Sequence, residues 1–546
     1  MWNVLVTDTV HEAGLAILEE AGDVKLVRNT GLSRPELLEA VKDADAMMTR
    51  SGTPLDREVL QAAEKLRVVA RAGVGVDNID IAEASRRGVV VINAPTGNTL
   101  AATEHTFAVM LGLLRRVPHA HASVSGGEWD RKRFMGSQLH GKRLLIVGFG
   151  RIGSRVAARA RAFGMKVTAY DPYVGGDRMR AAGAEPADDL SGALALADVV
   201  TLHVPLTAET GCMIDAVTLR AFKKGSLLIN CARGGLVDEK ACAEALREGR
   251  LGGAGFDVFS KEPPNGEHPL MAEDIRDRVV LTPHIGANTR EAQSAVSEIA
   301  ASNLLGALRG ESYEHAVNLP FMEQNLPERK RAFLSLSRKM GALAGRLCDG
   351  PLKTFRQTRR GETLREENGA ICFENPFRYS PYMVASLKGL LEVRHGADVN
   401  YMSAPLLADE SGLEVEESKG ETSTYRDLLE LHVKGERGEA SIMGTVTEEG
   451  KQRIVNVNGY WIDFVPDGGV ILFQNHDRPG VIGKIGMLLG SEGVNIANFA
   501  LGRRNGSGLA LGVLQIDGEA GGGLLDSLGS DVDMLWAIGC RFEEGL

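Results

Sequence analysis

The stretch 144–171 limits what this chain can fold into more than any other. Leu144-Leu145-Ile146-Val147 is an apolar run of strand length. Gly148-Phe149-Gly150-Arg151-Ile152-Gly153 follows, then a helical pattern, then the run Val167-Thr168-Ala169-Tyr170 ending at Asp171. In order these read as a strand, a tight turn, a helix, a second strand and an acid. Gly148 permits the turn, Gly150 lets the backbone approach a pyrophosphate, and Gly153 allows close helix packing, while the helix start presents free N–H groups to the anion. Glycine-rich turns are common by themselves, but a carboxylate about twenty residues further on can accept both ribose hydroxyls. A dinucleotide is expected there. Residues 172–177 hold no Arg or Lys to meet a 2′-phosphate, and Asp171 would repel one, so the pattern favours NAD over NADP.

A unit of this kind needs a parallel sheet with helices on both faces. β-Rich runs at 4–6, 24–27, 46–48, 68–70 and 89–92 alternate with helical patterns, which predicts a preceding parallel α/β half. Ser33-Arg34-Pro35-Glu36 is a capping box that starts one of its helices. The break at 93–98 and an apolar-periodic helix at 100–116 lead into the nucleotide domain, which continues through strands at 199–202, 227–229, 255–256 and 279–281. An amphipathic stretch at 289–308 reads as a helix returning to the first lobe. The expected fold class is therefore α/β: a flavodoxin-like substrate lobe (1–97 and 287–317) and a doubly wound Rossmann-type NAD domain (98–286), with a cleft between them. Beyond residue 318 the alternation stops. A charged helix at 328–346 and strands within 431–446 predict an α+β segment to 466, and the apolar 404–408 reads as interdomain core. Residues 467–546 read as a ferredoxin-like β-α-β-β-α-β unit.

With 546 residues the chain needs several such cores. Its net charge of −10 argues against a nucleic-acid or membrane-surface role, so anionic ligands need local arginines. Two loops after strands supply them, Arg50-Ser51-Gly52-Thr53 and Arg71-Ala72-Gly73-Val74-Gly75-Val76-Asp77-Asn78. The cysteines (Cys212, Cys231, Cys242, Cys348, Cys372, Cys540) show no metal-ligand spacing, which predicts a reduced, cytoplasmic protein with no structural metal. The N-terminus opens as a strand without signal-peptide features, and the apolar segment at 107–114 is too short to span a bilayer.

Three residues at strand ends of the nucleotide domain carry the expected chemistry. Arg233 lies in Asn230-Cys231-Ala232-Arg233-Gly234-Gly235, where paired glycines let the backbone turn and aim a guanidinium at a substrate carboxylate. Glu262 lies in Ser260-Lys261-Glu262-Pro263-Pro264, a loop stiffened by proline, and His284 follows a strand in Thr282-Pro283-His284-Ile285-Gly286. A carboxylate on one imidazole nitrogen fixes the tautomer and raises the His pKa, leaving the other nitrogen to exchange a proton with a substrate oxygen. Beside a nicotinamide, such a dyad implies hydride transfer.

The run 222–238 resembles the long signature of the D-isomer-specific 2-hydroxyacid dehydrogenases, and the glycine turn, the Glu-Pro loop and Pro283-His284-Ile285-Gly286 are similar to the same family. More narrowly, 71–80, 129–136 and the C-terminal module resemble the long branch that acts on 3-phosphoglycerate. That resemblance implies an intervening domain of the allosteric substrate-binding type (318–466), an ACT regulatory domain (467–546) and a homotetramer. It implies NAD-dependent oxidation of 3-phosphoglycerate to 3-phosphooxypyruvate, the first step of serine synthesis, with L-serine as effector. It carries substrate roles to Arg50, Val74, Gly75 and Arg233, and to Arg131 reaching in from a neighbouring subunit. Cofactor roles fall on Arg151, Ile152, Asp171, Thr210, Ala232, Asp257 and Gly286, and the effector on Asn475, Asp477 and Asn495. Two alternatives stay open: a dehydrogenase of another D-2-hydroxy acid, and a nucleotide-sensing corepressor-like binding protein.

Overall fold

Strand pairing resolves the alternating patterns into four separate sheets. The computed structural model describes the chain apart from residues 322–325, 366–378, 397–398, 422–424, 505, 507, 519–521, 531–532 and 543–546; Cys372 lies outside the described residues. In the first sheet, β1 (Trp2–Val6), β2 (Val24–Arg28), β3 (Ala46–Thr49), β4 (Val68–Arg71) and β5 (Val90–Ile92) run parallel in the order β2-β1-β3-β4-β5, the flavodoxin-like arrangement. The capping box forms as read, with the Ser33 amide donating to Glu36 at 2.8 Å.

The helix Thr99–Arg115 crosses into the second sheet. There β6 (Arg143–Val147), β7 (Lys166–Tyr170), β8 (Glu185–Pro186), β9 (Val199–Leu202), β10 (Ser226–Asn230), β11 (Leu251–Phe256) and β12 (Val279–Leu281) run parallel in the order β12-β11-β10-β9-β6-β7-β8. The order reverses between β6 and β9, and open α/β sheets bind ligands at the carboxyl ends of strands beside such a switch point. The helix Arg290–Leu308 then returns to the first lobe, burying Val296, Ala300, Leu304 and Leu308 in that lobe's core. Its contact with the helix Glu12–Glu20 is so close that a Cβ on Gly14 would lie 2.5 Å from the Ser297 carbonyl oxygen. Asn318 closes this lobe: it accepts from the Val91 amide at 2.9 Å and donates to the Val89 carbonyl at 2.8 Å.

The third sheet, order β14-β13-β15-β16-β17-β18, comprises β13 (Asp349–Arg360), β14 (Glu414–Gly420), β15 (Leu428–Arg437), β16 (Glu439–Val446), β17 (Gln452–Val457) and β18 (Tyr460–Phe464). The helices Glu328–Leu347 and Pro381–His395 supply the core over one face. The apolar 404–408 stretch falls in the helix Ser403–Glu410, where Ala404 and Ala408 join that core and Glu410 pairs with Arg86 of the first lobe. The last sheet, β20-β21-β19-β22, joins β19 (Gly468–His476), β20 (Ile496–Arg503), β21 (Leu509–Ile516) and β22 (Met534–Phe542) in the ferredoxin-like order. Along β19, Ile471 and Phe473 face this module's own helices, while Val470 and Leu472 belong to the core of the third sheet, as the two-residue period of a strand requires.

Candidate active site

Each glycine of the turn after β6 has a distinct geometric reason. Gly148 has φ +93°, and a Cβ there would lie 2.5 Å from the His203 carbonyl oxygen. Gly153 sits where a Cβ would meet the Gly148 carbonyl oxygen at 2.1 Å, so the helix lies directly on the turn. Gly150 has open space where its side chain would be, and it caps the helix Arg151–Ala162 with no side-chain hydrogen bond, leaving first-turn N–H groups for an anion. Arg151 and Ile152 open that helix. Asp171, just past β7, accepts from the Phe149 amide at 2.8 Å and the Tyr173 amide at 2.9 Å, which aims its carboxylate at the turn. These residues fit a dinucleotide with unmodified ribose hydroxyls.

At the other end of the same sheet, His284 Nδ1 lies 2.7 Å from Glu262 Oε2. Glu262 is held from behind, since its Oε1 accepts from the Phe259 amide at 3.0 Å. His284 has φ +53° and is half exposed, so its ring stands out from the loop with Nε2 facing away from Glu262. Asp257, buried at the end of β11, shapes this loop: it accepts from Thr282 Oγ1 at 2.5 Å, the Ile285 amide at 2.9 Å and the Gly286 amide at 2.8 Å. His105 Nε2, from the crossing helix, lies 3.1 Å from Asp257. Burial by itself would raise the Asp257 pKa, but the hydrogen bonds from His105, Thr282 and Ile285 outweigh it and hold the carboxyl below the usual carboxylate range.

Across the cleft, the loop after β4 meets Arg233. Arg233 Nε lies 3.2 Å from Asp77, and a Cβ on Gly75 would be 2.3 Å from Arg233 Nη2. The Arg233 turn is fixed by buried Asn230, which donates to the Arg233 carbonyl at 2.8 Å and accepts from the Ala232 amide at 3.1 Å. Val74 is pinned by Asn93, whose amide donates to its carbonyl at 2.7 Å. Asn78 ties the two arginine loops together, donating to the Arg50 carbonyl at 2.7 Å and accepting from Arg71 Nε at 3.2 Å. Burial pushes the Arg71 guanidinium down to about 10, with the Arg233 charge adding to the effect and Asp77 opposing it. Burial likewise lowers Arg50, against the pull of Asp8. Arg50 and Arg71 thus carry their charges on this rim at some cost, with Arg233 beside Arg71, an arrangement an anion relieves. Sequence reasoning read the Arg71 loop as an anion-binding loop but singled out neither Arg71 nor Asn78 as a site residue. It missed Asn230 and His105 as supports, because Asn230 reads as a strand end and His105 as one polar residue in an apolar helix.

Several expected site residues have partners within the single chain. Thr210 Oγ1 bonds the Pro205 carbonyl at 2.6 Å and the Thr207 amide at 2.8 Å, so it shapes its own loop. The Gly286 amide and both Asp257 oxygens are engaged with each other and with the His284 loop. Arg131, expected at a neighbouring subunit's site, lies away from its own: its turn is tied through Arg133 to Asp277 at 3.1 Å, ahead of β12, whereas His284 follows the far end of that strand. The three residues expected to hold an effector do not converge within one chain. Asn475 pairs with Ala510 and Ile496 with Ile516, so Asn475 and Asn495 stand at opposite ends of β21, about 20 Å apart at the strand rise. Asn495 instead donates to Asp517 at 2.7 Å, and Asp477 is paired with Arg503 at 2.9 Å. Asn475 donates to the His476 carbonyl and leaves its buried Oδ1 without a partner.

A nucleotide turn with a ribose acid, a Glu-backed imidazole and an arginine at a strand end together define an NAD-dependent dehydrogenase of 2-hydroxy acids. Residues 107–286 match the D-isomer specific 2-hydroxyacid dehydrogenase NAD binding domain, and residues 329–458 match the D-3-phosphoglycerate dehydrogenase intervening domain. The chain is 40% identical over 517 residues to the D-3-phosphoglycerate dehydrogenase of Methanocaldococcus jannaschii, covering 95% of each, and 37% identical over 522 residues to that of Bacillus subtilis, again covering 95% of each. The solved structure of an Aquifex aeolicus D-lactate dehydrogenase with NAD and lactic acid superposes with a TM-score of 0.52 at 29% identity, covering 57% of this chain and 96% of that one. The chain belongs to the D-3-phosphoglycerate dehydrogenase family. Among the described residues no helix is long and apolar enough to cross a membrane.

Proposed function

We propose that this enzyme's reaction, NAD-dependent oxidation of 3-phospho-D-glycerate to 3-phosphooxypyruvate, is carried by His284 with Glu262 behind it. The observation that supports this most is the 2.7 Å contact between the two at the mouth of the cleft. Glu262 occupies Nδ1 and so leaves Nε2 as the nitrogen that takes the proton from the substrate C2 hydroxyl. Arg233, on the same side of the cleft, holds the substrate carboxylate bidentately in place of Asp77, and Arg50 and Arg71 receive the phosphate. The loop at Val74 and Gly75 offers its backbone between them. Arg151 and Ile152 with the glycine turn hold the pyrophosphate, Asp171 the ribose, and Ala232 lines the nicotinamide side. NAD bound there supplies the hydride acceptor. The rim of arginines favours a phosphorylated acid over glycerate or lactate, and the intact dyad favours turnover over a corepressor-like role. The test is NADH formation with 3-phosphoglycerate against those two unphosphorylated acids; equal kcat/KM on all three refutes the assignment of the phosphate rim.

Regulation and assembly belong to the same reading. L-serine binds the C-terminal module with Asn475 and Asp477 from one chain and Asn495 from a second copy, since one chain separates them. Gly480, in the left-handed region, opens the helix Val481–Ser491 toward that end of the sheet. Arg131 reaches the site of a neighbouring subunit in a homotetramer; beside it Trp129 and Met135 are 80% and 81% exposed in the single chain, apolar surface that a second copy would cover. The free thiols of Cys212, Cys231, Cys242, Cys348 and Cys540 suit a reducing cytoplasm. Asp477→Ala should leave uninhibited turnover near normal and lower serine sensitivity; a fully sensitive variant sinks the effector site.

A further inference from the structure

A second Glu–His pair lies behind the first. Glu239 is the opening residue of the helix Glu239–Arg247, where the positive end of the helix favours a carboxylate. Its side chain is buried and turns toward the loop that carries Glu262. Its Oε1 accepts from the Ser260 amide at 2.7 Å, and its Oε2 accepts from the Ser260 hydroxyl and lies 3.0 Å from His268 Nε2. His268 is equally buried, and its Nδ1 accepts from the Leu270 amide at 3.3 Å. That bond puts the ring proton on Nε2, so His268 donates to Glu239. The Phe259 ring meets the His268 ring edge-on at 5.3 Å.

Two catalytic segments meet at the corner these residues clamp. The Phe259 amide donates to Glu262, the partner of His284. The backbone next to Arg233 rests on the same corner: a Cβ on Gly234 would lie 1.9 Å from the Phe259 carbonyl carbon and 2.4 Å from the Ser260 nitrogen. A shift at Ser260 therefore moves Glu262 and Arg233 together. We propose that Glu239 and His268 are positioning residues for the dehydrogenation, holding the Phe259–Ser260 corner so that Glu262 meets His284 and Arg233 faces the substrate. Both are buried and act through the Phe259–Ser260 corner. This rests on the roles assigned above to Glu262 and His284.

The test is a double-mutant cycle on the full-length enzyme, with NADH binding and melting temperature as controls for folding. Glu239→Gln lowers kcat by about ten- to a hundredfold with the KM for NAD unchanged. Placed in a Glu262→Gln background, the same change costs at least about threefold less than in the parent, because one of the two groups it positions is already gone and only its hold on Arg233 is left to lose. An equal loss in both backgrounds overturns the clamp. A Glu262→Gln enzyme of full activity overturns instead the dyad on which the clamp depends. The His268 pair gives an independent reading should Glu239→Gln fold poorly. His268→Gln, which keeps a donor for Glu239, retains kcat within about threefold, while His268→Leu, which leaves that carboxylate short of a donor, loses about tenfold or more. Equal kcat for the two His268 variants overturns the proposal.

Discussion

His284→Asn keeps a polar group near Glu262 but removes the basic nitrogen that faces the cleft. Turnover should fall by about 10²–10⁴-fold while NADH titration gives an affinity within about twofold of the parent, since no residue of the nucleotide turn is touched; a variant with a tenth of parental kcat would exclude His284 as the base. Arg50→Ala removes one charge from the rim but leaves the backbone that Asp8 and Asn78 pin. It should cost about 1.5–3 kcal/mol in 3-phosphoglycerate binding, read as KM, and leave glycerate turnover unchanged; equal losses on both would make Arg50 a folding residue. Asp257 sets an acid limit. Its folded pKa is depressed below the unfolded value, so its contribution to the His284 loop is complete above about pH 4 and is lost as pH falls through the folded value. His105→Leu takes away one of the donors that depress it and should move the acid loss of stability to higher pH, read as melting temperature against pH; an unmoved acid limb of that curve would remove His105 from the network.

At the scale of the element, the strand-turn-helix around Gly148 was legible because its glycines, its apolar runs and Asp171 all answer to one backbone path. Gly153→Ala should abolish NADH binding while leaving the substrate lobe folded, since the new methyl would occupy the space of the Gly148 carbonyl. Isothermal titration with NADH checks it, and parental affinity would mean the helix can slide without loss. The long strand β13 and the helix Pro381–His395 were not legible. The inner face of β13 carries Gln357 and Arg359, so the apolar alternation that marks a strand is broken where it should be strongest. Those polar side chains are tolerated by tertiary partners remote in sequence: Arg359 lies 2.8 Å from Glu417, and Gln357 donates to Ser386 at 2.7 Å. No local pattern announces such compensation. The hold of Asp257 on the His284 loop was hidden for a related reason: resemblance alone places it on the cofactor side, and its donors His105, Thr282, Ile285 and Gly286 lie far from it in sequence.

At the scale of the whole molecule, the two halves of the chain are joined differently. The substrate lobe and nucleotide domain enclose the cleft, whereas the intervening domain and the C-terminal module share one hydrophobic core, in which Leu472, Leu511, Val513 and Phe542 pack with Phe333, Met340 and Phe464. Polar contacts follow the same seam: Gln474 donates to the Tyr460 hydroxyl at 2.9 Å, and Gln515 to the Val465 carbonyl at 2.9 Å. A chain ending at residue 466 should therefore expose the uncovered face and aggregate or bind a hydrophobic dye, while one ending at residue 318 should still bind NADH. Light scattering with dye fluorescence distinguishes them, and a monodisperse, dye-silent protein ending at 466 would contradict the shared core. The seam also fixes what recombination can exchange. A gene fusion that swaps in a C-terminal module from elsewhere brings a sheet face shaped for another helix, so the unit that can be exchanged whole is everything after Asn318.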